Sequence, residues 1–361
     1  LSTQHPGDAQ FTLASTARII EDGGGRVRIR TGIWNYEEAV IDVSGESPAV
    51  ARSVRAALRA AAGGQVTVAD HLDAELLPIE RANIEKLFND LAQAGILVSA
   101  ADRDSRDAVT AALLGRLVSP YPGNPEPGRI LFHSDSAAAT EQAVALAASM
   151  RVELTPLPAE VVARLSEVDL TSRVDGLRTE REIAELRPAV TGDAALVTCY
   201  QRPVLPMLRN LNRLLEGRDV PWINAFIDGP FISMVGIKSP HTGCFECFEQ
   251  RALARLEDHV SYHDFARSPV GAVPPRHVDA PMMHTLTSLA VTEGYLHAAV
   301  GASRFSGRVL GIHLPTMEIQ TQDLLRMPNC PACGKISRQR VREINFNSRA
   351  AVDRIVSEVL S

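Results

Sequence analysis

The sequence predicts an α/β chain in two parts. An N-terminal winged-helix-like domain of three strands and three helices comes first, followed by an α/β domain with a structural zinc knot. Three observations predict this. The chain has 361 residues, too many for one ordinary compact domain. Its hydrophobic pattern gives three strands and then three helices before residue 100, and alternates strand with helix from residue 129 onward. Four of its five cysteines form two Cys-x-x-Cys pairs, "CFEC" at 244–247 and "CPAC" at 330–333.

Taken in order, "FTLASTARII" (11–20), "RVRIRTG" (26–32) and "EEAVIDV" (37–43) read as strands. Gly, Asn and Asp clusters between them suit short antiparallel connections, "EDGGG" first among them. Ser47 is a natural N-cap, Pro48 fits the first helical position, and Val50, Val54, Ala57 and Leu58 recur at helical spacing up to Gly63-Gly64. Thr67 can cap a short second helix that runs to His71. Pro78 opens a third, with Ile79, Ile84, Leu87, Phe88, Leu91 and Ala92 along one face, ended by "AGILVSA". Residues 1–100 therefore form the first domain. Residues 101–128, with the Pro- and Gly-rich "SPYPGNPEPG", read as a linker.

Residues 129–361 form the second domain. "RILFH" (129–133), "RVELTPL" (151–157), "AALVTCY" (194–200), "PWINAFI" (221–227) and "FISMVGI" (231–237) read as strands, with helices at 136–150 and 205–215. Apolar strands alternating with helices predict a mostly parallel sheet covered on both faces. After the first cysteine pair come a helix, a polar loop over 257–280, a long helix near 281–300 and a terminal strand pair, "RVLGIHL" with "TMEIQTQ".

Composition narrows the function. A formal net charge of −6 with dispersed Arg and Lys offers no basic field for nucleic acid or acidic lipid. No apolar run approaches the roughly 20 residues a membrane span needs. No signal-peptide pattern opens the sequence, and cysteines in Cys-x-x-Cys pairs do not make a secreted disulfide framework, so a cytoplasmic location is expected. The third helix carries Arg81 and Lys86 against Glu80, Glu85 and Asp90, which argues against a DNA-recognition helix.

Two Cys-x-x-Cys pairs can face four thiolates to one point. Cys244, Cys247, Cys330 and Cys333 are thus candidate ligands of one zinc per chain. Four sulfur ligands leave no position for water, so such a site is structural. Reduced, unligated cysteines or a duplicated redox pair are the alternative. Gly243 and Gly334 flank the pairs and suit tight turns. Cys199 reads as a small core residue rather than a nucleophile, and His259 and His263 as exposed histidines without a third ligand. His133 ends the strand from which an α/β sheet would present a ligand, although an ordinary structural histidine is the simpler reading. The turn that follows, "FHSDSAAATEQ", has no glycine to let backbone N–H groups close on a phosphate, so no ATP is expected there.

The runs "CYQRPVLPMLRNLNRLLEGRDVPWINA", "PWINAFIDGPFISMVGIKSPHTGCFECFEQR" and "MPNCPACG" resemble the ThiF-like, ubiquitin-activating-enzyme-like superfamily, whose nucleotide-binding α/β domain carries a zinc knot of two Cys-x-x-Cys pairs. The Gly-rich turn of that superfamily is absent, and "YQRP" stands where an acidic residue would follow a strand. Within it the chain resembles the ocin-ThiF-like partners of YcaO cyclodehydratases, in pathways to azoline peptides including thiopeptides. The resemblance implies a peptide-recognition role for the first domain, in which a leader peptide adds a strand to the sheet edge and packs against the third helix. The matching positions are Val40, Ile41, Asp42 and Val43 on the strand and Ile84, Leu87, Phe88 and Leu91 on the helix. Each of these could equally serve the domain's own core. The implied partners are a precursor peptide and a separate YcaO enzyme, with a homodimer also suggested. The implied activity is binding rather than catalysis. An active adenylating enzyme acting on a peptide carboxylate is the competing reading.

Overall fold

The computed structural model describes residues 10–334 except 15, 16, 35, 100–108, 111, 112, 115–127, 173, 192–194 and 268–279. Nearly all of the expected linker lies outside these residues. By its internal packing the chain divides into two compact units, Leu1–Tyr121 and Pro122–Ser361.

In the first unit the opening strand run is broken in two. Strand β1 (Gln10–Leu13) lies between β5 (Val66–Thr67) and β6 (Leu97–Ser99) in one small antiparallel sheet. Strand β2 (Ala17–Glu21) joins β3 (Arg26–Thr31) and β4 (Glu37–Asp42) in another. The run 11–20 reads as one strand, with no Gly or Pro to mark a break. The structure uses its halves in different sheets. Gly25 makes the β2–β3 turn possible: its φ is +87°, and a Cβ there would sit 2.9 Å from the Ser44 Cβ.

Helix α1 (Pro48–Gly63) starts as its capping chemistry dictates, with Ser47 Oγ accepting the N–H of Val50 at 3.3 Å. A 3₁₀ turn covers Val68–His71, where a short helix was expected, and Thr67 makes no side-chain cap there. Helix α2 (Pro78–Gln93) follows, and Glu80 reaches back to the Leu77 N–H at 2.8 Å and to Ser47 Oγ at 2.9 Å, tying the starts of α1 and α2 together. Val27, Ile29, Val54, Leu58, Ile84, Phe88 and Leu97 pack into one core between the helices and both sheets. Ile79, placed on the apolar face by periodicity, is 66% exposed, because it precedes the turn where α2 first meets the core.

The second unit is built on a seven-stranded sheet. Its strands are β7 (Ile130–Ser134), β8 (Leu154–Pro156), β9 (Ala195–Tyr200), β10 (Pro221–Asp228), β11 (Phe231–Lys238), β12 (Arg308–His313) and β13 (Glu318–Asp323), in the spatial order β13-β12-β11-β10-β9-β7-β8. The expected mostly parallel sheet is parallel only from β8 to β10. From β10 to β13 it is antiparallel, since β10 and β11 are joined through Gly229-Pro230 alone, too short for a crossover. Helices α3 (Ala137–Ser149) and the long α10 (Ala280–Val300) cover one face. Residues 158–193, to which the sequence pattern assigned no element, contribute α4 (Ala159–Glu167), α5 (Gly176–Leu186) and α6 (Pro188–Thr191). With α7 (Leu205–Leu215) and α8 (Phe245–Leu253) they bury Leu131, Leu196 and Trp222 on the other face.

Part of the expected polar loop is helix α9 (His259–Arg267). The Asp258 carboxylate caps it by accepting the N–H groups of Val260 and Ser261 at 3.0 and 3.1 Å, and Tyr262 anchors it by donating to Glu249 at 2.6 Å. Its periodicity is faint because, among the described side chains, Tyr262 and Ala266 alone turn inward among exposed neighbours. No helix among the described residues is long and apolar enough to cross a membrane.

Candidate functional site

The two cysteine pairs meet. Cys244 sits at the N-cap of α8 and Cys247 in its first turn. Cys330 and Cys333 lie in the turn after β13, where the Cys330 N–H donates to Met327 O and the Gly334 N–H donates to Cys330 O. All four sulfurs fall within 4.8 Å of one another, and all four residues are buried. Measured Sγ···Sγ separations are 3.8 Å for Cys244–Cys247, 3.5 Å for Cys244–Cys330 and 3.4 Å for Cys247–Cys333. A tetrahedron of thiolates about 2.3 Å from a zinc ion has edges of about 3.8 Å. A disulfide would need about 2.05 Å. The cluster therefore fits a tetrahedral divalent ion, which would stabilise the four sulfurs as thiolates. The Met327 N–H also points at Cys247 Sγ, 3.4 Å away, as suits a sulfur that carries charge.

Gly243 does not make a turn. It lies against the chain after β13, where a Cβ would come within 2.9 Å of Leu324 O. Its N–H bonds to that oxygen at 3.2 Å. Among the described residues this is the one group of three or more side chains placed to hold a metal. His259 and His263 are exposed on α9 and outside it.

The second candidate site is the β4 edge. In its sheet β4 pairs with β3 alone among the described residues. The Val43 N–H donates to Gly25 O at 3.0 Å, which fixes the parity of the pairing. By strand alternation the N–H and C=O groups of Glu38, Val40 and Asp42 face away from β3 and toward solvent. Val40 is 52% exposed, Ile41 half-buried and Asp42 exposed, whereas Val43 is buried. The Asp42 carboxylate is occupied locally by the Ser44 hydroxyl (2.6 Å), the Ser44 N–H (3.0 Å) and Arg26 Nε (3.2 Å). Hydrogen bonds from Ser44 and then Arg26 hold it down at about 2.

The helix positions divide. Ile84, Phe88 and Leu91 are enclosed in the unit's own core, with Phe88 at 0% exposure, while Leu87 is half-buried at its margin. Sequence reasoning did not pick out the exposed apolar tip beyond β3, where Trp34 is 88% and Ile33 67% exposed. The run "GIWNY" after a strand of alternating Arg was the available signal.

The third place is the carboxyl edge of the parallel strands. β7 has β8 on one side and β9 on the other, so the chain order reverses there. The turn from β7 into α3 carries Asp135, and Ser136 caps the helix by accepting the Ala139 N–H at 3.4 Å. The two Asp135 oxygens accept the N–H groups of Gln201 and Arg202, each at 2.8 Å, just beyond β9. His133 meets the Tyr200 ring edge-on at 5.6 Å, and burial lowers its basicity. Cys199 is fully buried and its thiol is pushed up to about 12, mainly by desolvation, which keeps it protonated and unreactive.

No family model matches this sequence, and no curated protein matches it. Solved structures do. A heterocyclase in complex with substrate and cofactor is 13% identical and superposes with a TM-score of 0.57, covering 90% of this chain and 39% of that one. The heterocyclase TruD is 14% identical with a TM-score of 0.57, covering 90% and 43% respectively. E. coli MccB is 14% identical at a TM-score of 0.45, too loose an overlay to argue from. The chain spans about two-fifths of the length of the two heterocyclases and shares the fold of that portion.

Proposed function

We propose that the chain binds the leader of a ribosomally made precursor peptide and delivers its core to a separate YcaO cyclodehydratase for azoline formation. The observation that carries this reading is the open β4 edge, with three outward backbone positions in register and the half-buried Ala39 and Ile41 on the strand itself. An extended peptide added there gains backbone hydrogen bonds for register and side-chain contacts for specificity. Val40 would meet the peptide directly. Ile84, Phe88 and Leu91 would form the floor beneath it rather than the contact surface. The fold shared with heterocyclases over 90% of the chain supports a place in the same chemistry, and the part of those proteins beyond the match is what a partner enzyme would supply. Tethering the leader raises the local concentration of the core at that partner.

In this reading the second unit is a ThiF-like scaffold held by one structural zinc on Cys244, Cys247, Cys330 and Cys333, and it uses no ATP. The glycine-free turn at 134–136 supports that over an adenylating enzyme. Amide exchange tests the proposal. Adding the leader of the precursor encoded beside this chain should slow exchange at Glu38, Val40 and Asp42. Protection elsewhere with none on β4 would move the peptide site off this edge.

A further inference from the structure

At β7 the strand order reverses, and in the crevice outside the carboxyl ends of strands at such a reversal open α/β sheets take anionic ligands on loop N–H groups. Two such groups are present, on Gln201 and Arg202. Each donates to Asp135 at 2.8 Å, one to each carboxylate oxygen. Two adjacent amides bonded to the two oxygens of one carboxylate form a receptor for a tetrahedral or planar anion, and hydrogen bonds to charged oxygens are about twice as strong as neutral ones. Asp135 reaches this receptor from the opposite lip, the β7–α3 turn. Its exposed carboxylate bonds to both amides and so ties the two lips together. A deletion of glycines alone would leave the amides of the second lip open to any anion.

We propose that the Gln201–Arg202 amide pair is an anion site that the chain fills with its own Asp135 carboxylate, closing the crevice to phosphate-bearing ligands. The inference rests on the reading of this unit as one that uses no nucleotide, and it supplies a cause that acts beside the missing glycines. It also assigns Asp135 a role no residue of the leader site shares. Removing the carboxylate should uncover the receptor and make it competent for phosphate oxygens.

The probe is inorganic pyrophosphate, followed by calorimetry and by thermal unfolding, on the full chain and on Asp135→Ala. We expect the variant to bind pyrophosphate at least tenfold more tightly than the parent chain and to gain melting temperature with it, while leader affinity is the same in both. Equal binding by the two proteins, or none by either, would overturn the proposal. Should Asp135→Ala fail to fold, Asp135→Asn removes the charge and keeps one acceptor. Amide exchange at Gln201 and Arg202 should then accelerate and be slowed again by pyrophosphate, and unchanged exchange would count against the latch. Loss of leader binding by the parent chain would refute the functional reading and leave this result standing.

Discussion

Val40→Pro separates the proposed peptide-binding edge from the fold more cleanly than any truncation. Val40 turns its N–H away from β3, so Val40→Pro removes no hydrogen bond of the ladder. Its side chain is half in solvent, and the loss of packing is small. Proline's φ near −65° lies within the broad β region, at modest strain. An added strand, by contrast, loses one hydrogen bond, worth about 0.5–1.5 kcal/mol or roughly a two- to twelvefold change in affinity. The pyrrolidine ring also stands in the path of that strand and disturbs its neighbours on either side, so a loss beyond tenfold is expected. Ile41→Pro is the contrasting variant. Its N–H points to Val27 across the ladder, and its side chain packs against the core, so stability should fall. Leader affinity by fluorescence polarisation and stability by urea titration are the assays. A Val40→Pro protein that melts like the parent and still binds leader with unchanged affinity would refute strand addition at β4.

Three further outcomes follow from the geometry. Phe88 is 0% exposed, so Phe88→Ala should cost about 3–5 kcal/mol of first-unit stability, read by urea unfolding, and Phe88→Asp should unfold that unit rather than merely weaken peptide binding. The purified chain should carry one zinc by elemental analysis, and Cys330→Ser should lose it and expose the Cys244–Cys247 pair to thiol reagents; a metal-free protein with the same melting temperature would remove zinc from the account. His297 is buried, and desolvation together with the nearby Lys238 charge lowers it from the ordinary 6.5 to about 4. The unfolded chain therefore takes up that proton first. Stability is full above pH 6.5 and declines as pH falls from there toward 4, with a loss of about 2 kcal/mol at pH 5. His297→Gln should flatten that part of the stability–pH curve.

What the sequence made legible follows the strength of its local signals. Ser47 before Pro48 and Pro78 before an apolar stripe marked two helix starts because capping chemistry is written in adjacent residues. The cysteine pairs were legible because four thiolates at fixed spacing admit few other uses. The break of 11–20 into strands of two sheets was not, since pairing partners at Val66 and Leu97 lie far along the chain. Helix α9 hid because most of its described residues are exposed and its inward positions, Tyr262 and Ala266, give a faint period. At the helix face, periodicity could not tell core from groove: Ile84 and Phe88 repeat as either would, and only burial separates them from Leu87 at the margin. The role of Asp135 was invisible for a related reason, because its amide partners are 66 and 67 residues away.

The central claim is tested most directly by titrating the labelled precursor leader into the full chain with and without ATP. The account predicts saturable binding that ATP does not change and that Val40→Pro weakens. Binding that requires ATP, or accompanying pyrophosphate exchange, would contradict it and identify an adenylating enzyme instead.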